Sequence, residues 1–140
     1  MELTKIQAFA VGKWKSVGIE VEFEGETHLK ITQVKNYNGY ILTKKELVAR
    51  AKSIFPNHIV KPVRYSLDVS EIDNVWVTKK MKEIGLNTND LVSQTTIDKS
   101  SLSLFLSGDR KMNKSVKALF YYYFLTYELN RDFRTELEKN

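Results

Sequence analysis

The residues best suited to specific recognition lie together in one segment, residues 95–113, "TTIDKSSLSLFLSGDRKMN". Its apolar side chains Leu102, Phe105 and Leu106 recur at helical spacing, which predicts a short helix with one buried side. The first turn of that helix is polar and contains Lys99 together with serines. A lysine donates hydrogen bonds, and serine hydroxyls both donate and accept them. This tip is therefore equipped to recognise polar groups on a partner.

The same sequence offers little for catalysis or metal binding. The chain contains no cysteine, which excludes disulfides, thiolate metal ligands and a cysteine nucleophile. Its two histidines, His28 and His58, are widely separated and do not form a zinc motif. No glycine-rich phosphate loop, nucleophile elbow or pair of convergent carboxylates is visible. We therefore expect a protein that is not an enzyme and that needs no metal or cofactor.

The charge of the chain permits a polyanionic partner but does not by itself identify one. The 140 residues carry a net charge of +5 at pH 7, with a pI near 9.3. Residues 1–70 hold 11 Lys and Arg against 7 Asp and Glu, residues 71–112 hold 6 against 6, and residues 113–140 hold 5 against 4. Most of the excess positive charge is therefore N-terminal.

Composition and hydropathy predict a cytoplasmic protein of one or two compact units. Hydrophobic residues make up 42% of the chain and charged residues 28%, which is typical of soluble globular proteins. No apolar run approaches the roughly 18 residues that span a bilayer. The N-terminal sequence "MELTKIQAFAVGKWK" lacks a basic region followed by a long apolar core. We expect no membrane association.

The first half of the sequence has the period of β-strands. Over residues 17–24, "VGIEVEFE", apolar residues alternate with a glycine and three glutamates, which predicts a strand with one wet face. Gly25 and Glu26 then suit a tight turn. Leu29 and Ile31, with Gln33 in the same phase, predict the returning strand of a β-hairpin.

The rest of the first half is predicted to contain one helix between two further strands. An Asn-Gly turn leads into a short strand at residues 40–42. Thr43 and Glu46 have the spacing of a capping box, and the apolar residues behind them keep helical spacing until Pro56 ends the helix. The stretch around Pro62 reads as an edge strand, because proline cannot donate to a central ladder.

Beyond residue 70 the strand period gives way to helical spacing. The polar stretch "DVSEIDN" marks the change, so we expect a small α+β domain of unknown role over residues 1–70 and an all-α domain over residues 71–140. The second domain is predicted to contain four helices, at residues 75–84, 89–95, 99–106 and 114–138. The fold class is therefore α+β, with an N-terminal hairpin or small sheet and one helix, followed by a helical domain that ends in a long helix.

Cap and turn residues follow a distinctive order in the helical half. Gly85 ends the first helix, and Asn87 or Thr88 caps the second. Ile97 fills the tight turn that follows, and Asp98 caps the third helix, which ends at "SGDR". In this pattern the chain resembles the helix-turn-helix domains of the lambda-repressor-like, xenobiotic-response-element class. The resemblance covers about sixty residues and none of the N-terminal half.

Two positions depart from the pattern of that family. Thr96 stands where family members usually carry glycine, so threonine must adopt the geometry of the turn. Leu104 stands where a long polar side chain often reads a base edge. It offers only an apolar contact, such as one to a thymine methyl group.

The resemblance implies that the third helix enters the major groove of double-stranded DNA, with its polar tip toward the bases and its apolar side packed on the first two helices. The residues expected to contact bases are Lys99, Ser100, Ser103 and Leu104. The residues expected to contact phosphates are Thr88, Arg110, Lys111 and Asn113. The implied function is that of a sequence-specific transcriptional regulator of bacterial or phage and mobile-element type.

Proteins of this type commonly pair, so that two recognition helices lie about one DNA turn apart. The helix that begins at Lys114 contains the run "LFYYYFLTYELNRDF". The spacing of a wide buried face is shared by Leu119, Phe120, Tyr123, Phe124 and Tyr127. Because the helix has more apolar positions than one small core can cover, we expect a homodimer through it.

Each of these features also has a less specific interpretation. Asp98, Ser100 and Ser101 suit any helix N-terminus. The alternative function is a non-enzymatic interaction or inhibitory factor of a mobile element. Its N-terminal sheet, with an acidic hairpin and exposed aromatic residues, would bind a protein partner, and its helical half would serve as a scaffold or dimerisation module. Affinity for duplex DNA distinguishes the two hypotheses.

Overall fold

The computed structural model describes residues 2–138, with side chains as far as Arg131. The fold class is α+β, as predicted. The chain divides into two compact units, Met1–Ser66 and Leu67–Asn140, here called the N-terminal unit and the helical unit. The described part of the N-terminal unit contains a three-stranded sheet and two helices, and that of the helical unit contains four helices.

The sheet of the N-terminal unit is built from a hairpin and one crossover. In chain order the elements are α1 Lys5–Ser16, β1 Ile19–Glu24, β2 His28–Gln33, α2 Lys44–Ile54 and β3 Ile59–Val63. β1 and β2 form the predicted antiparallel hairpin, and β3 pairs with β2 in parallel. The strand order β1-β2-β3 places β3 at an edge, as Pro62 predicts. α2 supplies the crossover that a parallel pair requires.

The core of the N-terminal unit lies on one face of this sheet. Leu29, Ile31 and Gln33 alternate along β2 and are buried, in the predicted phase. The predicted capping box starts α2, where Thr43 and Glu46 each accept the other's backbone N–H. The remaining buried residues of this core are Trp14, Ile19, Leu42, Leu47, Ala51 and Phe55.

The helix α1 is the element that the sequence patterns did not reveal. A capping box between Thr4 and Gln7 starts it, and Trp14 is its one buried residue. Ile6 and Phe9 lie on its outer side, 74% and 71% exposed. Because apolar residues occur on both sides of the helix, the amphipathic period that marks a surface helix is weak. The N-terminal unit therefore has two helices where one was predicted.

The first strand begins two residues later than predicted. Val17 is the C-cap of α1 and is 51% exposed, so it does not belong to the buried side of β1. Gly18 follows in the left-handed region, with φ at 88°. A Cβ on Gly18 would lie 2.7 Å from the Cβ of Lys35, so the chain passes too close for any side chain. β1 therefore begins at Ile19.

Residues 40–42 do not form the predicted strand, because a side chain holds their backbone instead. The amide of Gln33, only 5% exposed, donates through Nε2 to the carbonyl of Tyr40 at 2.9 Å. Its Oε1 accepts the N–H of Leu42 at 2.8 Å. One buried amide thus satisfies backbone groups that would otherwise need a neighbouring strand. The segment is fixed without joining the sheet.

The helical unit contains α3 Asn74–Ile84, α4 Thr88–Thr95, α5 Lys99–Ser107 and α6 Lys114–Glu138. Each helix begins and ends within one residue of its predicted bounds, and no strand occurs in residues 67–138. The cap residues explain this agreement, because they fix helix ends locally. Asp73, Asn87 and Asp98 accept the N–H of Trp76, Asp90 and Ser101 at 2.8–2.9 Å. The helices α3 and α5 end at left-handed glycines, Gly85 and Gly108.

The core of the helical unit forms where α3, α4, α5 and α6 meet. Leu102 is fully buried, whereas Phe105 and Leu106 are half-buried. Phe120 and Phe124 are buried from α6, at the predicted spacing. Leu119 was predicted on this buried face, but it is 39% exposed. The reason is geometric: Leu119 precedes Phe120 by about 100° around the helix, which turns its side chain outward. The other buried members are Ile72, Val77, Met81, Leu86 and Leu91.

Candidate functional site

The turn between α4 and α5 consists of three residues, of which Thr96 is strained. Among residues 2–138 it is the one non-glycine residue with positive φ, at 64°. This conformation costs a β-branched side chain about 1–2 kcal/mol. The Thr95 hydroxyl donates to the Leu91 carbonyl at 2.6 Å and accepts the N–H of Ile97 at 3.3 Å, which fixes the backbone on either side. Thr96 thus adopts the left-handed conformation for which the sequence pattern favours glycine. The helix α5 begins three residues later, at Lys99.

The helix α5 presents a polar outer side. Leu102, fully buried, defines its inner side. Successive residues are about 100° apart around a helix. Of the four residues predicted to contact bases, Ser100, Ser103 and Leu104 therefore point away from Leu102, whereas Lys99 lies at the edge of the inner side. Lys99, Ser100 and Ser103 are exposed, and Leu104 is half-buried. Ser107 continues this side, but its hydroxyl already contacts the Leu104 carbonyl and Asp109.

A shallow depression joins this side of α5 to the start of α4. It is lined by Lys99, Ser103 and Leu106 from α5, and by Asn87, Thr88 and Asn89 from α4. The structure thus brings Thr88, a predicted phosphate contact, beside two of the predicted base contacts. Asn87 and Asn89 were not among the predicted contacts. Their signal in the sequence was ambiguous, because polar residues at a helix start also serve as caps.

Arg110 is held against α5 by two neighbours. Its Nη1 donates to the Ser101 hydroxyl at 3.2 Å, and its guanidinium carbon lies 5.9 Å from the centre of the Phe105 ring. The Ser101 N–H donates to the carboxylate of Asp98, and this bond lowers the pKa of Asp98 below its usual value, with a smaller lowering from the charge of Arg110. The arginine is therefore pre-positioned. Its hydrogen bond to Ser101 uses one of the five N–H donors of the guanidinium.

The remaining predicted phosphate contacts lie in two places. Lys111 is exposed in the loop after α5, and it lines a cavity with Arg110 and Lys117 rather than the depression beside α4. Asn113 is exposed, but its Oδ1 accepts the N–H of Val116 at 2.9 Å and so caps α6. The side-chain amide group of Asn113 is its remaining donor. Lys117 was not singled out in the sequence, because its surroundings become cationic only in the fold.

The lysines of α3 differ from one another. Lys79 and Lys82 are exposed, as expected of a solvated face. Lys80 is half-buried: its Nζ lies 3.1 Å from the Glu128 carboxylate and 5.9 Å from the centre of the Trp76 ring. Lys80 therefore ties α3 to α6 and is a structural residue of the helical unit.

The helix α6 has a second apolar stripe that faces away from its core. Leu119, Tyr122 and Leu129 are exposed large hydrophobic residues, and Thr126 is exposed between them. These four positions, 119, 122, 126 and 129, are separated by three, four and three residues, which is the spacing of a coiled-coil seam. The inner face of the same helix, with Phe120 and Phe124, packs in the core of the unit.

Comparisons with known proteins leave the site to be interpreted from its own geometry. No protein-family model, no curated protein and no solved structure matches the chain. Within residues 2–138, no group of three or more His, Asp or Glu side chains is placed to hold a metal ion. None of the helices in this part of the chain combines the length and apolar character needed to cross a membrane.

Proposed function

We propose that this chain is a sequence-specific double-stranded DNA-binding regulator of transcription, of bacterial or phage and mobile-element type, that places α5 in the major groove. The observation that carries the proposal is the two-sided character of α5. Lys99, Ser100 and Ser103 are exposed, while Leu102 on the inner side is fully buried. A helix fixed by its inner side and polar on its outer side has the dimensions and the donors to read base edges.

The four outward residues of α5 differ in what they can read. The Lys99 ammonium donates to the O6 and N7 acceptors of guanine, and the two serine hydroxyls adapt to donors or acceptors. Leu104 offers an apolar contact to a thymine methyl group. With one long polar side chain in the set, direct readout is modest, so phosphate contacts must supply much of the affinity.

The phosphate contacts flank the helix in this proposal. Thr88 lies at the start of α4, beside Lys99 and Ser103, where backbone N–H groups favour an anion. Arg110 follows the C-terminal end of α5, and its guanidinium reaches back along the helix to Ser101 and Phe105. Lys111 and the Asn113 amide extend this second contact along the loop to α6. Two contacts on either side of one helix fix its orientation in the groove.

The proposal includes a second copy of the chain, paired through α6. Leu119, Tyr122 and Leu129 form a seam that a two-fold axis makes complementary to itself.

Replacing both Leu119 and Leu129 by Glu places charges in the seam, so we expect a monomer in sedimentation equilibrium. The control is Lys82→Glu, which changes an exposed residue of α3 by a similar charge. Equal masses for the parent and the double variant contradict pairing at this seam.

The decisive experiment separates base reading from phosphate contact. After selection of a preferred site from a random duplex pool, Lys99→Ala should weaken binding to that site by about 1–3 kcal/mol and relax preference at one base pair. Arg110→Ala should weaken all duplexes and reduce the slope of log K against log salt by about 0.9. Lys79→Ala is the matched control. If the parent and both variants bind every duplex equally, α5 does not read DNA.

A protein partner for the N-terminal unit is the second candidate function. It is favoured by Ile6 and Phe9, which expose an apolar patch on α1 beside Lys13, whose Nζ lies 5.8 Å from the centre of the Phe9 ring. Tyr37 adds an exposed aromatic ring from the loop after β2. These residues lie on a helix and a loop, whereas the sequence had suggested the acidic hairpin. If the chain shows no affinity for duplex DNA in an electrophoretic mobility-shift assay, a protein partner for the N-terminal unit becomes the leading function.

A further inference from the structure

A cavity of about 400 Å³ lies in the helical unit, between the start of α3, the end of α5 and the start of α6. Cavities of 300–1,000 Å³ are the usual size of small-molecule sites. Three cationic side chains line it, Arg110, Lys111 and Lys117. Two apolar side chains, Phe105 and Met112, line it as well and are half-buried. The depression beside α4 has a single lysine, so the two concavities differ in chemistry.

The cavity favours an anion with more than one negative charge. Among the described residues that line it, Asp73 is the one acidic side chain, and its carboxylate already accepts the N–H of Trp76 at 2.8 Å. The three cations and one carboxylate of this lining sum to a charge of +2. The helices α3 and α6 both begin at the cavity with no acidic residue in the first turn, so their dipoles add to the positive potential.

Two walls of the cavity are fixed before any ligand enters. Arg110 is held by the Ser101 hydroxyl and the Phe105 ring, at the distances given above. On the opposite side, Gly108 packs against Asn74, since a Cβ on Gly108 would lie 3.1 Å from the Asn74 Nδ2. A pre-formed wall lowers the ordering cost of binding.

We propose that this cavity binds a small phosphate monoester with a flat apolar body. The phosphate contacts Arg110, Lys111 and Lys117, and the body lies on Phe105 and Met112. A phosphate monoester carries close to two negative charges at neutral pH, which matches the local charge of +2. A DNA phosphodiester presents the same phosphate chemistry but one charge and no apolar body. The inference itself does not depend on DNA binding, but competition with DNA at Arg110 rests on the proposed function.

The test is an amide NMR titration of the full chain with phenyl phosphate, inorganic phosphate and phenol as separate probes. Phenyl phosphate should give saturable shifts at Asn74, Gly108 and Met112, and should bind at least about tenfold more tightly than either of the other probes, because it meets both the charge and the apolar wall. Inorganic phosphate that binds as tightly as phenyl phosphate contradicts the proposal, as does a titration that does not saturate at these amides.

Matched variants locate the site. Lys117→Gln removes one cation without touching α5 and should weaken phenyl phosphate binding about tenfold. Lys117→Arg should retain the affinity for phenyl phosphate, and Lys79→Gln, outside the cavity, should leave it unchanged. If Lys117→Gln and Lys79→Gln lose affinity equally, the ligand responds to general surface charge and the inference is overturned. Each variant is used only if its amide spectrum away from the cavity matches that of the parent.

A duplex arm separates this inference from the proposed function. If phenyl phosphate binds and duplex DNA does not, the cavity stands and the DNA proposal fails. If duplex DNA shifts the same amides and phenyl phosphate does not, the cavity is a contact for the DNA backbone and the inference fails. If both bind, phenyl phosphate should weaken duplex binding by the parent more than by Lys117→Gln, and equal weakening rejects a shared site.

Discussion

The two units differ in where their charge lies and in what it can do. The N-terminal unit carries eleven Lys and Arg against six Asp and Glu, whereas the helical unit carries eleven against eleven. The whole net charge of +5 therefore belongs to the N-terminal unit. The helical unit has no net charge, but it gathers Arg110, Lys111 and Lys117 around one cavity. Net charge governs long-range attraction, and local arrangement governs recognition.

The units also differ in how a key residue is held. In the N-terminal unit the buried amide of Gln33 organises a loop from within. In the helical unit Arg110 is held from outside, by Ser101 and Phe105. A buried polar group is costly to lose, whereas an exposed one can exchange its partner for a ligand. Trp14 lies in the N-terminal unit and Trp76 in the helical unit, so the fluorescence of each tryptophan reports on the unfolding of its own unit.

The largest effects are expected from the two cores. Leu102→Ala in the helical unit and Leu47→Ala in the N-terminal unit each remove a fully buried side chain. Each should lower the free energy of unfolding of its own unit by about 2–5 kcal/mol. In urea titrations, Leu102→Ala should move the transition of Trp76 and Leu47→Ala that of Trp14. If both variants move both transitions equally, the units do not unfold separately.

A smaller effect is expected at Gln33. Gln33→Leu keeps the volume of the side chain but leaves the Tyr40 carbonyl and the Leu42 N–H without their partner. The N-terminal unit should lose about 1–3 kcal/mol of unfolding free energy. The Leu42 amide should also lose its protection from hydrogen exchange. Retained protection at Leu42 would show that the loop is held by something other than this amide.

The glycine caps give a matched pair in the helical unit. Gly85 and Gly108 have nearly the same φ, 85° and 84°. A Cβ on Gly85 meets nothing within 4 Å, whereas one on Gly108 meets Asn74 at 3.1 Å. In urea titrations followed by Trp76 fluorescence, Gly85→Ala should therefore lower the free energy of unfolding of the helical unit by about 1–2 kcal/mol. Gly108→Ala should lower it somewhat more. Adding Asn74→Ala should remove the difference, and an unchanged difference assigns it to another cause.

The smallest effect concerns acid. Hydrogen bonds lower the pKa of Glu46, chiefly from the Tyr40 hydroxyl and also from Thr43, and one from Ser101 lowers that of Asp98. A carboxylate with a lowered pKa in the folded state stabilises it above the unfolded pKa, and this stabilisation is lost as the pH falls through the folded pKa. Urea midpoints measured from pH 6 down to pH 3 should therefore fall less steeply in Glu46→Gln for Trp14, and in Asp98→Asn for Trp76. Unchanged slopes would remove both carboxylates from the acid response.

The sequence predicted the helical unit more closely than the N-terminal unit, for a physical reason. Helix ends in the helical unit are set by residues such as Asp73, Asn87 and Gly85, whose effects extend over only three or four positions. In the N-terminal unit, residues 40–42 are set by Gln33, seven to nine positions away, and no local pattern reports that contact. The helix α1 escaped notice because Ile6 and Phe9 obscure its period.

The candidate site was predictable only in part. The outward placement of Ser100 and Ser103 follows from helical spacing once Leu102 is taken as the inner residue. Lys99 has the spacing of the inner side, and it is exposed because it lies in the first turn of α5. Lys117 was not predictable in this way, because it meets Arg110 and Lys111 only where α6 begins beside the end of α5. Spacing gives the side of a helix on which a residue lies, and it does not give the neighbours that another helix brings.

The sheet of the N-terminal unit has two free edges, and both discourage strand addition. β3 carries Pro62, which has no N–H to offer to an incoming strand. β1 carries Glu20, Glu22 and Glu24, and a second copy laid beside it would bring like charges together. Aggregation that spreads by strand addition from sheet to sheet is therefore disfavoured at both edges. Copies of this chain at high concentration should therefore associate less readily through this sheet than an uncharged, proline-free edge would allow.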